Sequence, residues 1–343
     1  MRKIYIGLSV LLLVSAITYI AMFNQNKKNL EPADIDFFAM DTYMTVSAYG
    51  TNAEDTLVKI KNEVLRLESL WSVTLETSEI SILNREKSAT VSADTKNVLE
   101  IAKQVAQQSD HAFDITIMPV MRAWGFHSRD YRVPSTSEFE ELKQYVDSEQ
   151  IIINGHNIVL NQSYTEIDLG AIAKGYASQK ISEMLISANI DSAIISLGGN
   201  VQVVGTKPDG TLWKVAVQNP NDTESYVGIL ELENEAAVTS GIYQRYFEAD
   251  NKIYHHLIDP STGFPADNGL ASVTIISKDG TLADALSTVA FIMGIDKAVE
   301  FWQQSTYEFE MIFIETDGTI SLTEGAKDSF SPIEGSIKNV FAK

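Results

Sequence analysis

Glu166-Ile167-Asp168-Leu169-Gly170-Ala171-Ile172-Ala173-Lys174-Gly175-Tyr176 is the stretch around which the rest of the chain is organised. Alternation across Glu166, Ile167, Asp168 and Leu169 predicts the end of a strand, with both carboxylates on one face. Gly170 turns the chain, and residues 171–188 then carry apolar side chains at helical spacing. A strand feeding a helix through a short glycine turn presents backbone amides and the positive end of a helix, an anion site suited to phosphate. An ordinary strand-to-helix connection with solvated acids fits the same residues. The partners supplied by the rest of the chain decide between the two.

Upstream, residues 37–50 alternate as a strand. Leu57, Ile60, Val64, Leu67 and Trp71 recur at three- and four-residue steps and predict a helix capped near Asn52. Residues 78–84 read as irregular or briefly helical, and Val98, Ile101, Ala102 and Val105 mark another helix. The spacing of Ser135 and Glu138 predicts a capping box for a helix bearing Phe139, Leu142 and Val146. Residues 151–160 read as a hairpin. Downstream, strands are predicted at 192–197, 201–204, 213–217, 227–232, 254–258 and 272–276. Helices follow at 281–293 and 297–304, then a hairpin of 311–314 with 319–322 across Asp317-Gly318. Helices and strands alternate, but hairpins intervene. The fold class predicted is therefore α+β with a mixed sheet, rather than a doubly wound parallel sheet.

The first 30 residues differ from everything after them. Arg2 and Lys3 precede an uncharged, mostly apolar run over residues 4–23, long enough at helical rise to span roughly 30 Å. Residues 1–30 read as an uncleaved signal anchor with a polar flank, 31–36 as the rest of a polar linker, and 37–343 as the folded remainder, long enough for one large domain or two modest ones. A single N-terminal anchor ahead of a large domain predicts the cytoplasmic membrane, with the domain extracytoplasmic.

All 46 acidic residues but only 22 of the 26 basic ones lie beyond residue 30, so that portion carries −24. Such a balance argues against nucleic acid and against broad docking on an anionic leaflet. With no cysteine, thiol catalysis, thiolate zinc sites and disulfides are excluded. Neither G-x-G-x-x-G nor a Walker A sequence is present, and Ser196 and Ser240 lack a nucleophile-elbow pattern.

Three constellations remain. Asp284 and Thr288, four apart on a predicted helix, share a face and offer oxygens that suit a hard cation such as magnesium. A solvated acid and a satisfied helical threonine are the plainer reading. His255 and His256 sit ahead of the turn Asp259-Pro260-Ser261-Thr262-Gly263, and on a strand at most one of them enters a given site. A histidine acts as a base near neutral pH, although a strand histidine is more often structural. Gly198-Gly199-Asn200 permits a tight turn or a close backbone approach.

Taken in order, seven segments carry a resemblance. They are Ala39-Met40-Asp41-Thr42; Ala112-Phe113-Asp114-Ile115-Thr116 with Trp124-Gly125-Phe126; residues 168–176; Ser196-Leu197-Gly198-Gly199; Thr239-Ser240-Gly241; residues 254–263; and Ala283-Asp284-Ala285-Leu286-Ser287-Thr288. From Phe38 to about Ile314 the chain resembles the ApbE family of FAD:protein FMN transferases. The resemblance implies a T-fold-related catalytic domain that uses magnesium, takes FAD as substrate and transfers its FMN half to a protein threonine. A phosphoester forms and AMP leaves. By family pattern the metal would be held by the Ala171 carbonyl, Asp284 and Thr288. Met40, Ala112, Phe113, Asp114, Asp168, Lys174 and Ile258 would lie around FAD, and His256 would be the base, with Asp259 and Arg245 in support. The partners implied are acceptor flavoproteins of membrane electron transfer. Two features depart from the pattern: Thr74 stands where many relatives have a tyrosine, and the leader lacks the cysteine of a lipoprotein.

Two other functions fit the same motifs. Water in place of the acceptor threonine gives a metal-dependent FAD pyrophosphatase. Loss of chemistry altogether gives a membrane-tethered flavin-binding protein, which the intact Asp284, Thr288 and His256 set argues against.

Overall fold

In the computed structural model, which describes residues 31–333 and 335–343, the hydrophobic alternation begins earlier than residue 37. β1 (Ala33–Ala39) takes up most of the expected linker, with Asp34 and Asp36 exposed and Phe37 buried. It pairs antiparallel with β2 (Thr42–Ala48), so the single strand expected over 37–50 is a hairpin. Met40 and Asp41 make the turn with left-handed backbone, φ 50° and 58°. Neither is glycine, and alternation alone carries no mark of that turn. The expected signal anchor over residues 1–30 lies outside the described residues. Among the described residues, no helix is long and apolar enough to cross a membrane.

The hairpin is one edge of a nine-stranded mixed sheet. The order continues through β6 (Ser192–Leu197), β7 (Asn200–Gly205), β10 (Ala236–Gly241), β13 (Leu270–Ser277), β14 (Glu310–Glu315), β15 (Ile320–Thr323) and β17 (Ile337–Phe341). Neighbours are antiparallel except β15 with β17. This is the α+β class the hairpins predict. β10, recognised in the sequence only as a motif, proves to be a central strand.

Period-two alternation feeds two cores. Val273 and Ile275 of β13 face the helices, whereas Ile276 faces a second, three-stranded sheet. That sheet has the order β16 (Phe330–Pro332), β9 (Asp222–Leu232), β8 (Trp213–Asn219). The turn after β7 therefore leads out of the main sheet, and Trp213, Val215 and Leu230 cover its second face. A third small sheet, β3 (Ser88–Thr90), β5 (Asn157–Leu160) and β4 (Ile151–Asn154), contains the expected hairpin.

The helical layer holds α1 (Ala53–Trp71), α2 (Glu79–Glu86) and α3 (Ala93–Gln108). Asn52 precedes α1 but makes no side-chain capping bond. The segment read as irregular or briefly helical is the short helix α2, capped by Ser78. α4 (Met118–Trp124) is followed by α5 (Thr136–Leu142), whose Ser135 cap accepts from the Glu138 N–H. α6 (Ala173–Ser187) starts two residues later than expected. α7 (Gly280–Gln304) joins the last two expected helices across a break at Gly294, φ 73° and ψ 169°.

The opening stretch differs most from its sequence reading. Residues 166–169 are not a strand: Glu166 makes one isolated bridge to Ile117, and the Asp168 N–H donates to the Ile115 carbonyl at 2.7 Å. The segment is pinned to the loop before α4 instead of entering a sheet.

Candidate active site

Turns and helix ends converge at one end of the main sheet and enclose a cleft of about 830 Å³. The β1–β2 turn, the β6–β7 turn, the loop before α6, one face of α7 and the segment after β12 (Lys252–His255) all contribute. The eleven residues singled out above all line it: His256, Met40, Ala112, Phe113, Asp114, Asp168, Lys174, Ile258, Ala171, Asp284 and Thr288.

Two glycine contacts draw the walls together. A Cβ on Gly198 (φ 59°) would sit 2.2 Å from Thr42 Oγ1, so the two hairpin turns touch only because residue 198 is glycine. A Cβ on Gly175 would sit 2.3 Å from the Gly280 carbonyl oxygen and 2.4 Å from Asp284 Cβ, which brings α6 against α7. The Met40 N–H donates to Glu68 Oε1 of α1 at 2.7 Å, anchoring the strained turn.

Asp284 is buried, and its Oδ2 accepts from the Gly175 N–H at 2.7 Å while Oδ1 lies 3.9 Å from Lys174 Nζ. Because the Gly175 N–H is spent there, the Ala171 carbonyl accepts no hydrogen bond among the described residues. Thr288, one turn along α7 from Asp284, likewise has no side-chain hydrogen bond among the described residues. A carboxylate, a hydroxyl and an unpaired carbonyl form an all-oxygen set that fits a hard divalent cation, with substrate oxygens and water filling the other positions. Among the described residues, no group of three or more His, Asp or Glu side chains could hold a metal, so a self-contained metal cage is not on offer.

His256 lies just beyond β12 instead of within the strand expected over 254–258. β12 pairs with β11 (Tyr246–Ala249), Tyr246 opposite His255, and this sets Arg245 beside His256. The His256 ring Nδ1 is 3.1 Å from the Arg245 carbonyl, which can only accept, so Nδ1 carries the proton and Nε2 keeps its lone pair. Burial, then the Arg245 charge, push the His256 pKa down to about 3 from the usual 6.5, against the pull of the Arg245 carbonyl. His255 is buried on the other side, its Nε2 donating to the Ala266 carbonyl at 3.2 Å and its ring edge-on to Phe291. Burial brings it to about 4.

Asp114 lines the cleft, but its carboxylate is occupied. Oδ1 accepts from the Thr116 N–H (2.9 Å) and hydroxyl (2.6 Å), and Oδ2 from the Ser148 N–H (2.9 Å). Burial raises its pKa, and these bonds with His111 outweigh it and hold the group below 3.8. Asp114 thus shapes the wall through the loop it ties. Asp168 accepts from the Gly170 N–H at 2.8 Å and from His127 Nε2 at 2.7 Å. Burial again raises its pKa, and His127, Gly170 and the Arg245 charge outweigh that effect. Asp259 does not line the cleft. Its Oδ1 accepts from the Ser261 N–H and hydroxyl (2.8 and 2.7 Å), shaping the turn that Trp124 Nε1 fastens through the Gly263 carbonyl at 2.7 Å.

A family model described as the ApbE family matches residues 40–313. The chain belongs to the ApbE family. Among curated relatives, the FAD:protein FMN transferase of Klebsiella pneumoniae is 32% identical over 279 residues, covering 79% of this chain and 85% of the relative. That of Treponema pallidum is 31% identical, covering 76% and 77%. The crystal structure of the ApbE protein of Thermotoga maritima superposes with a TM-score of 0.81 at 30% identity, over 87% of this chain and 99% of that one. A histidine-to-glycine variant of the flavin transferase ApbE of Vibrio cholerae gives 0.78 at 26% identity, over 87% and 99%.

Within this ApbE fold, Thr74 is exposed and does not line the cleft. Sequence reasoning missed His127, Arg129, Tyr243 and Gln244, all of which do. Arg129 reaches Asp41 at 3.3 Å across the rim. His127 follows Trp124-Gly125-Phe126 directly, but its partner Asp168 is 41 residues away, and no spacing signals that pair. Tyr243 and Gln244 follow the Thr239-Ser240-Gly241 motif closely enough that it could have drawn them in.

Proposed function

We propose that this chain is a magnesium-dependent FAD:protein FMN transferase that moves the FMN half of FAD to a threonine hydroxyl of an acceptor flavoprotein and releases AMP. The observation that carries this reading is the meeting of Asp284, Thr288, the unpaired Ala171 carbonyl, Lys174 and a neutral His256 in one cleft. The curated names of its relatives support it.

Asp284, Thr288 and the Ala171 carbonyl would hold the metal, which when bound supplies positive charge to the diphosphate oxygens. Lys174 adds a second cation beside them, the local help an anionic substrate needs in a chain of net charge −20. Met40, Ala112, Phe113 and Ile258 offer apolar wall to the flavin. His256 Nε2 takes the proton of the attacking hydroxyl. A bound diphosphate raises the basicity of that ring, because negative charge favours its protonated form. The threonine Oγ forms a bond to the FMN phosphorus as the bond from that phosphorus to the bridging oxygen breaks, and the bridging oxygen leaves with AMP. The proposal sets this domain outside the cytoplasmic membrane, a reading supported by the apolar length of residues 4–23.

The test is to incubate the full chain in detergent with FAD, magnesium and candidate acceptors, then to weigh the acceptor and assay AMP. Covalently modified acceptor with one AMP per modification is expected. AMP and FMN released beside unmodified acceptor would make the chain a pyrophosphatase. FAD bound with no AMP under any condition would make it a flavin binder.

A further inference from the structure

Among the described residues, several buried polar side-chain atoms lack a hydrogen-bond partner, and of these only the Asn200 atoms belong to a residue in the cleft wall. Both ends of its amide, Nδ2 and Oδ1, are unpaired, and the residue is 1% exposed. A buried amide with neither donor nor acceptor matched is costly and calls for an explanation.

The sheet fixes its position. Asn200 opens β7, opposite Leu197 across the β6–β7 turn and opposite Val238 of β10. Alternation sends Val201 and Val203 toward the second sheet, leaving Asn200 and Gln202 on the helix-bearing face. Gln202 spends its Nε2 on Gln179 at 3.0 Å and lies under Gly280, away from the cleft. Asn200, two residues nearer the turn, has no such neighbour. The turn itself is Gly198-Gly199, so no side chain of the turn screens it. Beside it lies Gln244, whose Nε2 is 3.6 Å from where a Gly199 Cβ would be and donates to the Thr239 carbonyl at 2.8 Å. Gln244 is exposed, and this one bond to Thr239 is its side chain's sole hydrogen bond among the described residues.

We infer that Asn200 is a specificity residue of the cleft, its side-chain amide pairing with a substrate ring edge that sets one donor beside one acceptor. The inference rests on reading the cleft as an FAD site. FAD has two such edges: the N3–H with an adjoining carbonyl in the isoalloxazine, and the amino group with N1 in adenine. A phosphate oxygen would answer Nδ2 alone and leave Oδ1 unpaired. A ring edge answers both.

Asn200→Leu and Asn200→Ala test it. Leucine keeps the branching and heavy-atom count of asparagine in a larger side chain and removes the unpaired donor and acceptor, so the ligand-free Asn200→Leu protein should melt no lower than the native chain. FAD affinity, followed by flavin fluorescence, should fall on the order of 10- to 100-fold in both variants. Parallel titrations with FMN and AMP identify the edge: a loss confined to FMN assigns the flavin, and one confined to AMP assigns the adenine. A folded Asn200→Ala protein that binds FAD, FMN and AMP with native affinity overturns the inference. A native chain that binds no FAD overturns the underlying reading instead.

Discussion

The backbone N–H of Gly175 donates to Asp284 Oδ2 at 2.7 Å, tying the first turn of α6 to the second turn of α7 through a carboxylate. The bond does two things. It satisfies an N–H that the start of a helix leaves without an intrahelical acceptor, and it fixes Asp284 with Oδ1 toward Lys174. The helices come this close because residue 175 has no Cβ.

Gly175→Ala should therefore do more than add a methyl group. The nearest atoms to the new Cβ are backbone and a fixed Cβ, which cannot swing aside, so the helices must part. A loss of about 1–3 kcal/mol in denaturant unfolding is expected, together with weaker magnesium dependence of transfer. Native stability and native magnesium response would show that the interface is softer than its geometry implies.

Asp284→Asn keeps the volume, and its amide oxygen can still accept from Gly175, so the fold should survive. What disappears is the negative charge a hard cation requires. Transfer should be abolished while circular dichroism and the thermal midpoint change little. Normal metal-dependent turnover by a well-folded variant would remove Asp284 from the metal set.

His256→Ala should retain FAD binding and slow transfer on the order of 100- to 10,000-fold. His255→Ala should be mild in comparison, because that ring faces Phe291 and the Ala266 carbonyl and does not line the cleft. With its pKa at about 3, His256 in the free enzyme is neutral throughout the physiological range. kcat/KM should consequently show no acid limb from this residue between about pH 5 and 8. An acid limb there that vanishes in His256→Ala would contradict the desolvated, Arg245-flanked setting.

The same two rings should leave a mark on stability. Their folded pKa values, about 4 for His255 and about 3 for His256, lie below the unfolded 6.5, so the unfolded chain binds more protons in between. Their contribution is fully present above 6.5 and is lost as pH falls toward 4 and then 3. Thermal midpoints should fall across that window, and less steeply in His256→Ala. Asp114 and Asp168, held below 3.8, add their loss only at the acid end. A midpoint that stays flat from about pH 7 to 4 would count against both histidine environments.

Removing residues 1–30 should leave a folded protein that binds FAD, because β1 starts at Ala33. Removing residues 1–40 takes away all of β1 and the anchored Met40 turn, and should cost stability and FAD affinity together. Gel filtration and flavin fluorescence on the two truncations check this. An aggregated first truncation would count against the division at residue 30.

Apolar periodicity was enough to find α1, α3, strands β6, β7, β13, β14 and β15 of the main sheet and the pair of helices that meet at Gly294, but not the central β10. Each is a local pattern, in which burial of one face leaves a period in the chain. The same locality explains the errors. The Met40-Asp41 turn uses left-handed backbone without glycine, held by Glu68 from α1, and nothing near residue 40 announces that partner. Residues 166–169 alternate like a strand yet find no strand to pair with, since sheet membership depends on a neighbour.

For the site, the sequence by itself determined which residue types are present and in what order, and that was sufficient for the family and for the eleven cleft residues. It could not assign their states. Asp114 and Asp168 look alike as carboxylates flanked by apolar residues. One is filled by its own loop and by the Ser148 N–H, and the other is bonded to His127, 41 residues away in sequence. Likewise Asn200 is an ordinary polar residue after two glycines until the sheet register buries it with nothing to bond. Hydrogen-bond saturation, protonation and accessibility are properties of the atoms within a few ångströms of a group. In this chain those atoms come from segments far apart in sequence, so only the tertiary structure decides them.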